Sequence, residues 1–140
     1  MDRKGSAVWS GTLKEGKGTV SSESGALNNI AYSFASRFVT EGESNPEELI
    51  GAAHAGCYSM ALSGGLGGAG FTAKSIATTA TITIEPVEGG FGITKIHLDC
   101  EAEVEGIDAV TFDEIAQATK LGCPVSKLLN APISLSAKLK

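Results

Sequence analysis

Three cysteines, Cys57, Cys100 and Cys123, carry the most reactive groups in this chain, and they stand in different settings. His54 lies three residues before Cys57, so on a helix the two side chains project from neighbouring positions of one face. Gly122-Cys123-Pro124 sets Cys123 at the cap of a new helix. Free backbone N–H groups and the positive end of the dipole favour a thiolate there. Cys100 alternates with apolar residues, the usual place of a buried free thiol. Three cysteines cannot all pair within one chain, so each is a small hydrophobe, a metal ligand or a reactive thiol. Plain readings stand beside the reactive ones. Cys57 between Gly56 and Tyr58 suits a small-residue helix, and His54 suits a core imidazole. Arg37 could form a routine surface or interface ion pair. Glu47 and Glu48 are what a helix N-terminus favours.

The elements that must position these residues are legible in outline. Ala7-Val8-Trp9-Ser10 and Gly18-Thr19-Val20-Ser21 flank the polar hairpin signal Glu15-Gly16-Lys17. Ile30 to Val39 reads as a further strand, with Arg37 among Tyr32, Phe34 and Phe38. Asn45 as N-cap, Pro46 at the first helical position and Glu48 at capping-box spacing announce a helix. No charged residue follows Glu48 until Lys74, and Leu49 to Leu62 is apolar or small on every side. Such a helix is expected to be buried, ending near Ser63, with the following glycine run as a loop. That run carries too little hydrophobic drive to suit a transmembrane span.

Two long strands follow. Ile76, Thr78, Ala80, Ile82 and Ile84 share one face of the first; Ile96, Leu98, Cys100, Ala102 and Val104 share one face of the second. Glu88-Gly89-Gly90 joins them. Thr111 to Glu114 reads as a capping box opening a helix that Gly122 ends. Pro124 starts a short helix to about Leu129, and Ile133 to Leu139 alternates as a last strand. The order βββ-α-ββ-αα-β makes an α+β fold, an antiparallel sheet around a central buried helix, in one domain spanning residues 1–140.

Composition narrows the function classes. The chain has 140 residues, 42% of them apolar, enough for a core, and a net charge of -5. Its Lys and Arg follow no stripe, so nucleic acid and anionic membrane surfaces are disfavoured partners. Met1-Asp2-Arg3-Lys4 offers no apolar signal region, so a reducing cytoplasm is the expected compartment. Gly65-Leu66-Gly67-Gly68-Ala69-Gly70 has dinucleotide-binding spacing, but it follows a helix and precedes a strand, the reverse of the required context. His54, Cys57 and Cys123 lack the paired spacing of a zinc site. A Cys57–His54 nucleophile for acyl transfer stays open, and so does a non-catalytic binding protein.

The run Asn45 to Leu62, with its Ala53-His54-Ala55-Gly56-Cys57 core, closely resembles the central helix of the OsmC/Ohr family of thiol peroxidases. Gly122-Cys123-Pro124-Val125-Ser126 is similar to that family's second cysteine motif. The likeness extends over nearly the whole chain, and His54 with the N-terminal strands resembles the OsmC branch. It implies reduction of organic hydroperoxides, with Cys57 as the peroxidatic and Cys123 as the resolving cysteine. It also implies Arg37 and Glu47 as polar partners, no cofactor beyond an external dithiol or lipoyl-type reductant, and an intertwined homodimer.

Physical chemistry adds one condition. An ordinary thiol with a pKa of about 8.5 is only a few per cent ionised at neutral pH. Burial raises it further, so a cation is needed, and Arg37 oriented by Glu47 is the candidate. Glu47 precedes Cys57 by ten residues on one helix, roughly 15 Å along its axis. A carboxylate serving Cys57 is therefore expected to come from a second copy of the chain.

Overall fold

In the computed structural model, which describes residues 1–39 and 42–140, the chain falls into two compact units, Met1–Leu49 and Ile50–Lys140. The first unit holds three antiparallel strands, β1 (Gly5–Ser10), β2 (Lys17–Ser22) and β3 (Ile30–Ser33), in spatial order β1-β2-β3. β3 is shorter than the Ile30–Val39 strand read from the sequence. The chain turns at Ser33 into a 3₁₀ turn, Ala35–Arg37. Paired serines cause this: the Ser33 and Ser36 hydroxyls each accept the other's backbone N–H at 3.1 Å. Such local side-chain bonds compete with the strand ladder.

Helix α1 (Pro46–Gly68) opens as its sequence signals, with the Asn45 carboxamide oxygen accepting the Glu48 N–H at 2.8 Å. It runs past Ser63 through the glycine run, contrary to expectation. Close packing of α1 calls for glycine at two positions, Gly65 within that run and Gly51 before it. A Cβ on Gly65 would sit 3.0 Å from Ile115 Cγ2, and one on Gly51 would sit 3.1 Å from the Ala80 carbonyl oxygen. The stop signal is Gly70, whose φ of 88° needs glycine. Phe71 N–H reaches the Leu66 carbonyl (2.9 Å) and Gly70 N–H the Gly67 carbonyl (3.0 Å), completing a Schellman motif.

In the second unit, β4 (Ala73–Val87) and β5 (Gly90–Val104) form a long antiparallel hairpin, and β6 (Ile133–Leu139) lies beside β5. β6 pairs with β5 in parallel, Ile96 against Ile133, so this sheet is mixed rather than wholly antiparallel. The crossover through α2 (Ala109–Gly122) and α3 (Pro124–Leu128) returns the chain in its starting direction, as a parallel pair requires. α2 starts earlier than expected. Its N-cap is Asp108, whose carboxylate accepts from the Thr111 N–H at 2.9 Å.

The inner face of β5, with Leu98, Cys100, Ala102 and Val104 buried, packs with Tyr58, Leu62 and Leu66 of α1 and Phe112 and Ala116 of α2. The helix is not covered all round, as its composition had suggested. Gly51, His54, Tyr58, Leu62 and Leu66 form its buried stripe, while Ala52, Ala53, Gly56 and Met60 face outward, Met60 being 74% exposed. One chain supplies only one covering layer. No helix among the described residues is long and apolar enough to cross a membrane.

Candidate active site

The second unit brings two of the predicted residues together. Cys57, one turn beyond His54, flanks the buried stripe of α1 and is half-buried; Cys123, between α2 and α3, is wholly buried. Thr119 carbonyl holds the Cys123 N–H at 2.9 Å, and Pro124 at the first position of α3 fixes the turn. The Cys123 thiol points at Cys57, with the two sulfurs 3.0 Å apart and both free. Residues 66 positions apart in sequence thus meet through the packing of α1 against the α2–α3 corner.

The two sulfurs are not equivalent. Burial raises the Cys57 pKa, and the neighbouring Cys123 sulfur adds to this, against a lowering bond from the Val125 N–H. Burial also acts to raise Cys123. There it is outweighed by the bond with Cys57 and by donors at the start of α3: the Ser126 N–H, the Ser126 hydroxyl and the Val125 N–H. These donors, and not the cap's own side chain, realise the thiolate preference expected of a helix N-terminus.

His54 is fully buried, and its Nε2 lies 2.8 Å from the Ser126 hydroxyl. Among the described residues its Nδ1 has no hydrogen-bond partner. Burial pushes its pKa down, so the ring sits there neutral. Ser126 is the residue that motif reading left without a role. The signal was present: three positions after the cap, it falls where a hydroxyl turns back towards residue 123.

The first unit assembles the other two predicted residues. Arg37, at the end of the 3₁₀ turn, forks onto Glu47 in the first turn of α1. Nε donates to Oε2 at 3.1 Å and Nη2 donates to Oε1. This bond raises the Arg37 pKa, keeping the guanidinium charged. The turn is held from both ends: Ser36 Oγ is 2.7 Å from the Ser44 carbonyl, and Asn45 Nδ2 donates to the Ser36 carbonyl at 3.1 Å. Beside the pair opens a cavity of about 280 Å³ lined by Trp9, Leu13, Tyr32, Phe34, Arg37 and Pro46. Trp9 and Tyr32 pack with ring centroids 5.4 Å apart. Cys100, on the inner face of β5, is 2% exposed, and burial raises its pKa.

Two sulfurs poised for bond formation on an α+β scaffold define a dithiol protein. Comparison with known proteins gives its family. Residues 40–138 match the family model for OsmC-like proteins. Peroxiredoxin OsmC of Escherichia coli (strain K12) is 59% identical over 140 residues, covering 100% of this chain and 98% of that protein. Among solved structures, an OsmC-like protein of unknown function from Vibrio cholerae superposes with a TM-score of 0.79 at 14% identity, over 98% of this chain and 99% of that one. The organic hydroperoxide resistance protein OhrB of Bacillus subtilis gives 0.68 at 20% identity, over 98% of both chains. The chain belongs to the OsmC-like protein family, and it is a peroxidase.

Proposed function

We propose that the chain reduces organic hydroperoxides with Cys57 as the attacking thiolate and Cys123 as its resolving partner, residues 1–140 acting as one OsmC-like domain. The observation that carries this reading is the 3.0 Å contact between two free sulfurs. They share a proton, and once a cation lowers the Cys57 pKa it passes to Cys123, leaving Cys57 as the attacking thiolate. Cys57 attacks the outer peroxide oxygen; a sulfur–oxygen bond forms, the O–O bond breaks, and the leaving alkoxide takes up a proton to become the alcohol. Cys123, as thiolate, displaces hydroxide from the Cys57 sulfenic acid, giving a disulfide and water. An external dithiol then reduces the disulfide by exchange.

Within its own chain the Cys57 pKa is held up, so a cation must bring it down. Arg37 is that cation, positioned by Glu47, whose fork engages Nε and Nη2 and leaves the Nη1 donors to thiolate and peroxide. The pair acts from the second chain of a homodimer, because α1 is one continuous helix and keeps Glu47 ten residues from Cys57. The outward apolar face of α1 supports that assembly. The aromatic cavity beside Arg37 suits an alkyl or aryl tail better than hydrogen peroxide. A reducing cytoplasm is the setting in which both sulfurs stay free.

Cumene hydroperoxide loss with excess dithiol tests this. The native chain should turn over, Cys57→Ser should consume none, and Cys123→Ser should react once and stop. After one equivalent of peroxide, peptide mass spectrometry should find Cys57 joined to Cys123. Undiminished turnover by Cys57→Ser would refute the reading. A hydrolase using His54 as base for Cys57 gains no support, since the imidazole bonds Ser126.

A further inference from the structure

One buried polar residue beside the two sulfurs has no part in the chemistry above. His54 is wholly enclosed, its Nε2 is 2.8 Å from the Ser126 hydroxyl, and its Nδ1 has no hydrogen-bond partner among the described residues. Ser126 is itself buried, three residues after Cys123 in α3, and its hydroxyl acts to lower the Cys123 pKa. A hydroxyl has one hydrogen to give. If Ser126 gives it to the sulfur, its oxygen must accept from His54, which places the ring hydrogen on Nε2 and leaves Nδ1 as a bare lone pair. The reverse arrangement would bury an N–H on Nδ1 with no acceptor, the rarer kind of orphan in folded proteins. The preferred chain of donors runs from His54 through Ser126 to Cys123.

We propose that His54 and Ser126 form a buried relay that locks the Ser126 hydroxyl onto the Cys123 sulfur, holding it as the thiolate that closes the disulfide. His54 is thus a positioning residue for the second step, resolution, and not for attack on peroxide. This rests on the assignment of Cys57 as the oxidised sulfur and Cys123 as its resolver. In the step, the Cys123 thiolate attacks the sulfenic sulfur of Cys57 and the S–S bond forms as the S–O bond breaks. Hydroxide leaves and takes a proton to become water; Cys123 is oxidised and the sulfenic sulfur reduced, one electron each relative to the disulfide. Burial keeps the imidazole neutral, with a single N–H to commit.

The test separates the two steps. Protein is rapidly mixed with one equivalent of cumene hydroperoxide without reductant, then quenched over time with dimedone. Mass spectrometry reads the Cys57 sulfenic acid and the Cys57–Cys123 disulfide separately. His54→Phe keeps the ring shape without its nitrogens; Ser126→Ala removes the hydroxyl. In both, sulfenic acid should form within about threefold of the native rate, while disulfide closure slows about ten- to hundredfold, the worth of a hydrogen bond to a charged group. The double variant should be no slower than either single one, and Ser126→Thr should restore closure. Native-rate closure in Ser126→Ala, or equal slowing of both steps, overturns the relay. If His54→Phe does not fold, Ser126→Ala and Ser126→Thr decide it. A native chain that forms no sulfenic acid at all removes the peroxidase assignment and the relay with it, a result distinct from slow closure.

Discussion

At the scale of single residues, the site divides its labour between groups that lack the needed property alone. Burial raises the Cys57 pKa, and the proposed mechanism draws the missing charge from Arg37. The fork matters as well as the charge. Arg37→Lys keeps the cation but loses the planar two-point grip on Glu47, and kcat/KM for cumene hydroperoxide should fall on the order of a hundredfold. Glu47→Gln should fall similarly, since an amide offers one acceptor where the carboxylate offers two. A steady-state comparison checks both, with circular dichroism confirming the fold. Neither change should alter the distance between the two sulfurs, so diamide should still close the Cys57–Cys123 disulfide in each variant.

At the scale of elements, close approach and capping decide what holds. Gly51 lies against the backbone of β4, so Gly51→Val drives new atoms towards the Ala80 carbonyl and should cost about 1–3 kcal/mol, read from urea midpoints. The Asp108 cap makes a pH prediction. Its hydrogen bonds to the Thr111 hydroxyl and N–H lower its pKa. A depressed carboxylate contributes stability above its unfolded pKa of about 3.9 and loses it as pH falls through the folded value. Asp108→Asn, which caps nearly as well, should match the native chain at pH 7 and show a shallower loss of stability below about pH 4 in acid titrations. These elements also show what a sequence discloses. Asn45 and Pro46 marked the start of α1 because capping is local chemistry, and the alternation from Ile96 to Val104 marked the inner face of β5. The end of α1 was missed because Gly65 answers to the approach of α2, a tertiary cause that outweighs propensity. The parallel pairing of β6 was equally hidden, since alternation says which face is buried and not which way a strand runs. The 3₁₀ turn carrying Arg37 was signalled only by Ser33 and Ser36. Both cysteines were identified, yet no local pattern states that 66 residues of chain return Cys123 to Cys57.

At the scale of the whole molecule, the proposed assembly gives a complementation test. Cys57→Ser and Arg37→Ala chains should each be inactive alone. If the guanidinium is supplied across the dimer, a mixed dimer regains one complete site, with about half the native rate per dimer. If each chain uses its own Arg37, the mixture stays inactive. Activity measured after unfolding and refolding the two chains together separates the cases. Blocking the outward face of α1 with Gly56→Arg should leave a monomer by sedimentation. The third cysteine gives the molecule a different property. Cys100 lies on the inner face of β5 with 2% of its surface exposed, and burial raises its pKa, so it offers little thiolate for exchange. Thiol scrambling therefore has no third participant, and repeated cycles of oxidation return one and the same isomer each time.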